Sequence, residues 1–336
     1  MRAGSSGRVI GMNEDHLQKG ADIIIDICGA VEPSERVVIA TDDKKKDIAE
    51  ILFRACKRKG IDPVVVSMFA RTNHGEEPPA SYAAALQNAD VIFAATHYSL
   101  FHSNARIEAC NAGARWVNLP GYTKEMLTEG GLFVDFPGQR KKAERIGAYI
   151  TDGSQVHITT KKGTDITFSI AGREAIVEPG ISDRPGMVNS PPDIEVCIAP
   201  VEGTAQGRIV IDGSIVIDEL GPVAEDVVLD VRDGMVVNIT GGREAMVFKK
   251  NLESATDQMV RNIGEFGIGL NPECRICDSM LEAEGVLGTI HFGIGDNHTM
   301  GGTVEASMHT DVVIMDPTVY IDDVHVMENG AHLLID

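Results

Sequence analysis

Two spacings of apolar residues divide the chain. In the first half they recur at helical intervals, over 13–31 (Leu17, Ala21, Ile24, Ile25, Cys28) and over 45–59 (Ile48, Ile51, Leu52, Ala55). Between such runs lie short, nearly continuous apolar stretches: R-V-V-I-A-T-D, P-V-V-V-S-M-F, D-V-I-F-A-A-T and R-W-V-N-L-P. Further helices are expected over 79–88, 102–112, 122–130 and 137–149. Strands alternating with helices predict a parallel sheet with helices on both faces. Ligands of such sheets sit at the carboxyl ends of the strands. That makes Thr41, Asp42, Thr96, His97 and Tyr98 either pocket residues or turn residues.

Near residue 150 the pattern changes to short strands with turn signals: V-H-I-T-T, T-D-I-T-F-S-I, E-V-C-I-A-P, G-R-I-V-I-D, V-V-L-D-V and M-V-V-N-I. One helix, about 244–262, interrupts them. The expected architecture is a Rossmann-like α/β domain over 1–150 and a β-rich α+β domain over 151–336, the latter a curled or barrel-like sheet. No G-x-G-x-x-G follows the first strand, so a dinucleotide role is unsupported.

Composition narrows the function classes. At 43% hydrophobic but only 5% aromatic, with one Trp, the cores must be built from Val, Ile, Leu, Ala and Met. A formal net charge of −20 argues against nucleic acid and against anionic membrane surfaces. No signal peptide and no bilayer-length apolar run is visible, so the chain reads as cytoplasmic. The opening M-R-A-G-S-S-G reads as a flexible start. Of six cysteines, Cys28, Cys56, Cys110 and Cys197 sit far apart in apolar contexts, as small buried hydrophobes. Cys274 and Cys277 form C-R-I-C, but there is no second pair for a zinc ribbon and no thioredoxin-like turn around it.

The chemistry gathers in G-T-I-H-F-G-I-G-D-N-H-T-M-G-G-T-V-E-A-S-M-H-T-D, residues 288–311. His291, His298, His309 and Asp311 fall within 21 residues of one another. His291 alternates with apolar residues and shares a strand face with Gly293 and Gly295, so a ligand could come close to the backbone. His309 and Asp311 are two apart and point the same way, roughly 6–7 Å apart along a strand. Two glutamates could complete a metal site. Glu195 opens E-V-C-I-A-P, and Glu265 lies in N-I-G-E-F-G-I-G-L-N-P; a charge among apolar and glycine residues is costly unless paired or metal-bound.

The segments G-T-D-I-T-F-S-I-A-G-R, I-E-V-C-I-A-P-V-E-G-T-A-Q-G, G-E-F-G-I-G-L-N-P, G-T-I-H-F-G-I-G and H-T-D follow one another in an order that resembles the thermophilic aminopeptidase T-like metallopeptidases. That resemblance covers the second half well and the first half in outline. It implies an amino-terminal α/β domain, a catalytic carboxyl-terminal domain, a two-metal site and a homodimer. Carried over, the metal ligands are Glu195, Glu265, His291, His309 and Asp311, with Glu265 a bridging or shared ligand. The family's tyrosine, seven residues beyond the strand histidine, is His298 here. The implied function is a metal-dependent hydrolase of an amide or short peptide, using two Zn, Co or Mn ions, with His298 as acid. Glu284, just before the histidine strand, is a weaker candidate base. The same superfamily contains ring-cleaving dihydroxypyridine dioxygenases, which hold one Fe(II) by two His and one Asp. Their first His would fall on Glu265, and they have none at 291. With five of six peptidase positions matched, the hydrolase ranks first; the Fe(II) dioxygenase and a non-catalytic metal-stabilised binder remain open.

Overall fold

The structure is a computed structural model describing residues 6–217 and 219–334, with side chains from Glu14 onward. It is a mixed α/β chain with one parallel sheet and two large antiparallel sheets. The chain folds as two compact units. One takes in residues through Phe136 and returns for Pro179–Pro192; the other comprises Pro137–Glu178 and Asp193 onward.

In the first unit the apolar runs form parallel strands in the order Val64–Met68, Val37–Asp42, Val91–Ala95, Arg115–Asn118 and Val188–Asn189. The inner strands Val37–Asp42, Val91–Ala95 and Arg115–Asn118 are buried along their whole length, as strands covered on both faces must be. Helices Lys46–Arg58, Ala80–Leu86 and Asn104–Asn111 fall where the 3.6 period places them. The first helix runs Ser6–Ile23 and ends in a π-helical turn, Ile24–Cys28. It takes in Ser6 and Gly7 of the expected flexible start, whose first five residues lie outside the described ones.

One expectation fails here, for a tertiary reason. Residues 122–130 form turns, not a helix. The Leu127 carbonyl lies against Gly20, where a Cβ would fall 2.1 Å from it, so packing against the first helix overrides local preference. The strand at Val188–Asn189, only two residues long, carries no readable period. The strand-end polar residues brace one another. Asp42 Oδ1 accepts from the backbone N–H of Lys44 and Lys45, and Oδ2 from that of His97; Thr96 Oγ1 donates to the Tyr98 carbonyl.

In the second unit the expected strands are present but divide between an eight-stranded and a six-stranded sheet instead of one curled sheet. The helix expected at 244–262 stops at Ser254, and Asp257 caps a separate 3-10 turn, Gln258–Arg261. The six-stranded sheet runs Ser214–Ile215, His309–Ile314, Ile290–Gly295, Phe266–Gly269, Glu195–Ile198, Ile176–Glu178. Its apolar face carries Phe266 and Phe292, whose rings lie 5.4 and 5.8 Å from that of Phe168 on the eight-stranded sheet. No helix among the described residues is long and apolar enough to cross a membrane. The Phe292→Ala variant should lose about 3–5 kcal/mol of stability, because the ring is fully buried among aromatic partners; urea denaturation measures it.

Candidate metal centre

Strand alternation builds the site. Antiparallel register sets His291 opposite Gly267, Asp311 opposite Gly293, His309 opposite Gly295, Glu195 opposite Gly269 and Glu178 opposite Glu195. Directly opposed residues share a face. Glu265, two residues before Gly267, therefore joins the same row. Phe266, Ile268, Ile290, Phe292, Ile294 and Val312 point the other way. One face of the sheet thus carries carboxylates, imidazoles and glycines, and its reverse carries the core.

The glycines are a steric requirement. A Cβ at position 267 would lie 2.0 Å from His291 Nε2, and one at 293 would lie 2.5 Å from His309 Nε2 and 2.7 Å from the Glu265 Cβ. Each imidazole lies over the neighbouring strand, in space that only glycine leaves open.

The structure brings Glu195, Glu265, His291, His309 and Asp311 together. His291 Nε2 is 2.9 Å from Glu195 Oε2 and 3.7 Å from Glu265 Oε1. His309 Nε2 is 2.9 Å from Glu265 Oε2 and 3.2 Å from Asp311 Oδ1. Two groups of ligand atoms result, Glu195–Glu265–His291 and Glu265–His309–Asp311, each within 4.8 Å internally and both sharing Glu265. His309 Nδ1 donates to the Asp296 carbonyl at 2.7 Å, which turns Nε2 toward the carboxylates. Glu284 is buried, with Oε1 lacking a hydrogen-bond partner, but belongs to neither group. His298 lies outside them as well: its side chain is 47% exposed and pairs with Asp296.

Three residues, Asp193, Glu178 and Asp296, were not anticipated. Asp193 is buried, with Oδ1 unpartnered, and forms a third group with Glu178 and Glu195. Its place two before Glu195 is the signal that could have found it. Asp296 has no such signal, since its role depends on the loop geometry. None of the six cysteines is in a disulfide. Burial pushes Cys274 and Cys277 above the usual thiol range, which suits unreactive residues.

Electrostatics show what the cluster needs. Burial raises Asp193, Glu195 and Glu284 above the usual carboxylate range. Burial would also raise Glu265, but the neighbouring imidazoles of His291 and His309 outweigh it and hold that carboxyl below its ordinary value. Burial disfavours both charged imidazoles; Glu195 and Glu265 overcome this at His291, and Asp311 and Glu265 at His309, raising both. Glu195 Oε2 has no hydrogen-bond partner despite its 2.9 Å approach to His291 Nε2. The two atoms are close without the alignment of a hydrogen bond, as ligands facing a common cation would be. Clustered buried carboxylate oxygens and imidazole nitrogens fit a divalent metal.

A mixed α/β chain that buries such a donor set on one sheet face has the makings of a metalloenzyme. A family model described as NicX: 2,5-dihydroxypyridine 5,6-dioxygenase matches residues 24–333, and the chain belongs to that family. A curated 2,5-dihydroxypyridine 5,6-dioxygenase of Pseudomonas putida KT2440 is 27% identical over 185 residues, 52% of this chain. The match spans about half of that relative, 53% of its length. The solved structure of the dihydroxypyridine dioxygenase from the same organism superposes with a TM-score of 0.81 at 20% identity, covering 95% of this chain and 97% of that one. Wild-type AmpT from Thermus thermophilus gives 0.70 at 15% identity, covering 95% and 99%. At these identities the two structures speak for the fold alone.

The fold is thus shared with solved structures of both kinds, but the ranking between the two readings is reversed. The metallo-aminopeptidase-like hydrolase is overturned by the family match and the curated relative, which carry the dioxygenase reading placed second. The error has a physical cause: a donor row of this kind serves more than one chemistry, so matching five ligand positions decides the scaffold and not the reaction.

Two outcomes are expected. Gly293→Ala should drive a methyl into the His309 ring and lower divalent-metal affinity by about 10–100-fold, read by chelator competition. His291 and His309 have folded-state values above the unfolded value of about 6.5. Their stabilisation is complete below that pH and is lost as pH rises through the folded-state values. The Tm of chelated protein should therefore fall as pH rises above about 6.5, and His309→Gln should flatten the fall. Saturating metal should remove it, because bound metal displaces those protons.

Proposed function

We propose that this protein is a ferrous-iron dioxygenase that opens a hydroxylated pyridine ring. The observation carrying the reading is the family match, which runs from residue 24 to residue 333 and so includes every residue of the candidate centre. The donor chemistry agrees with it: carboxylate oxygens and imidazole nitrogens, with no thiolate among the grouped ligand atoms, suit a non-haem divalent iron.

Glu265, His309 and Asp311 would hold the ion. The usual ligand set of such oxygenases is two His and one carboxylate. This group has one His and two carboxylates, with His291 on the adjoining group. When bound, iron would supply the one-electron chemistry that lets dioxygen react with a closed-shell aromatic ring. The chain's own contribution is positional. Asp311 and His309 leave one strand two residues apart, and Glu265 enters from the start of another, so their spacing is set by backbone hydrogen bonds. Burial of Glu195, Glu265 and His291 limits water around them, which strengthens electrostatic contact with a ligand. The aromatic substrate would approach the same sheet face, beside the imidazoles that lie over Gly267 and Gly293.

Anaerobic loading with Fe(II), followed by air and 2,5-dihydroxypyridine, should give oxygen uptake and loss of the aromatic absorbance. Asp311→Ala should lower that rate at least 100-fold, on the scale of losing a group that holds a catalytic metal. Failure of the iron-loaded protein to consume oxygen with any hydroxylated pyridine would overturn the assignment.

A further inference from the structure

Between the two histidine strands the chain makes a loop, and one residue in it touches two imidazoles. The Asp296 carbonyl accepts from His309 Nδ1 at 2.7 Å, while both of its carboxylate oxygens lie 2.8 Å from His298 Nδ1. Oδ2 also accepts from the Ala306 N–H at 3.0 Å, and the Asp296 N–H donates to the Met308 carbonyl at 2.8 Å. The carboxylate is thus fixed in place from both ends of the loop.

The loop itself is braced. Asn297 is fully buried; its Oδ1 accepts from the Val304 N–H and its Nδ2 donates to Glu202. Glu202 also accepts from the Thr303 N–H and pairs with Arg173, which donates to the Gly301 carbonyl. Gly302 fits against Asn297, where a Cβ would fall 2.0 Å from that side chain. His298 is therefore half-exposed on a loop that is held rigidly beside the strand end bearing His309.

We propose that Asp296 and His298 form a proton-transfer dyad at the rim of the metal centre, with Asp296 as the positioning residue for both His298 and His309. An acceptor carboxylate at Nδ1 puts the proton there and leaves Nε2 with its lone pair. Among the site's other bases, Glu195, Glu265 and Glu284 are buried, whereas the His298 side chain is about half-exposed and accessible to an incoming molecule. A substrate ring hydroxyl would lose its proton to Nε2: the O–H bond breaks, an N–H bond forms, and the electron pair stays on the substrate oxygen. The imidazolium charge is then offset by the Asp296 carboxylate. This extends the ring-opening assignment and rests on it for the identity of the proton donor.

Asp296→Asn separates the two contacts, since it removes the carboxylate charge and keeps the carbonyl that holds His309. Nitrogen-15 NMR of histidine-labelled, metal-free protein should show His298 as the Nδ1–H tautomer in the wild type and lose that preference in D296N. Iron content should stay at the wild-type level in D296N. With iron and 2,5-dihydroxypyridine, D296N and His298→Gln should each lower kcat by about 10²–10⁴-fold with KM changed only a few-fold. An Nε2–H tautomer in the wild type, or H298Q turning over within about three-fold of wild type, would overturn the dyad; the factor sits far below the range for a general base. An inactive wild-type iron enzyme would instead overturn the functional assignment, while the tautomer spectrum still decides the Asp296–His298 arrangement.

Discussion

Everything at the candidate centre depends on a vacancy in side-chain volume. Two imidazoles can lie across a neighbouring strand only because positions 267 and 293 have no Cβ. Fill either and the ring must leave its place, together with the nitrogen it presents to the carboxylates. The constraint is one of backbone geometry. Strands about 4.8 Å apart bring ligands from separate parts of the chain within reach of a shared centre, but only if the intervening surface is bare.

That geometry has an electrostatic counterpart. Glu178 and Glu195 are directly opposed across two strands, an arrangement that is unfavourable for like charges. Asp193 and Glu284 add further buried acid groups. A fold does not gather carboxylates in its interior for stability. The arrangement makes sense as a receptor for positive charge, with Glu265 common to both histidine-bearing groups. The aromatic triangle of Phe168, Phe266 and Phe292 on the reverse of the same strands supplies the apolar burial that anchors them.

Much of this was readable in the amino-acid pattern. Period-two alternation around His291 and the His309-x-Asp311 pair pointed to the face, and the flanking glycines pointed to room over it, which the two imidazoles take up. The parallel strands followed from their continuous apolar runs. Other features had no local signature. The helix expected at 122–130 gives way to turns because Leu127 packs on Gly20, a contact more than a hundred residues apart in sequence. Asp296 acts through its carbonyl as well as its side chain, and a backbone carbonyl looks the same at every position. The reaction was the least legible element. Identical donors can activate water or bind iron, so the ligand motif pointed to the superfamily, and the match across residues 24–333 was needed to choose the branch.

The short strand Val188–Asn189 has a consequence for how this molecule can be dissected. It pairs with Arg115–Asn118, the Met187 carbonyl accepts from the Trp116 N–H, and Ser182 Oγ donates to the Trp116 carbonyl. The Tyr122 hydroxyl likewise reaches the Pro191 carbonyl. A gene fragment ending where the composition changes would encode a sheet with one margin stripped and its only tryptophan robbed of both main-chain partners. Such a fragment would present a raw edge to other chains and would be prone to aggregate; an intact amino-terminal module has to borrow a ribbon of residues encoded some forty codons downstream.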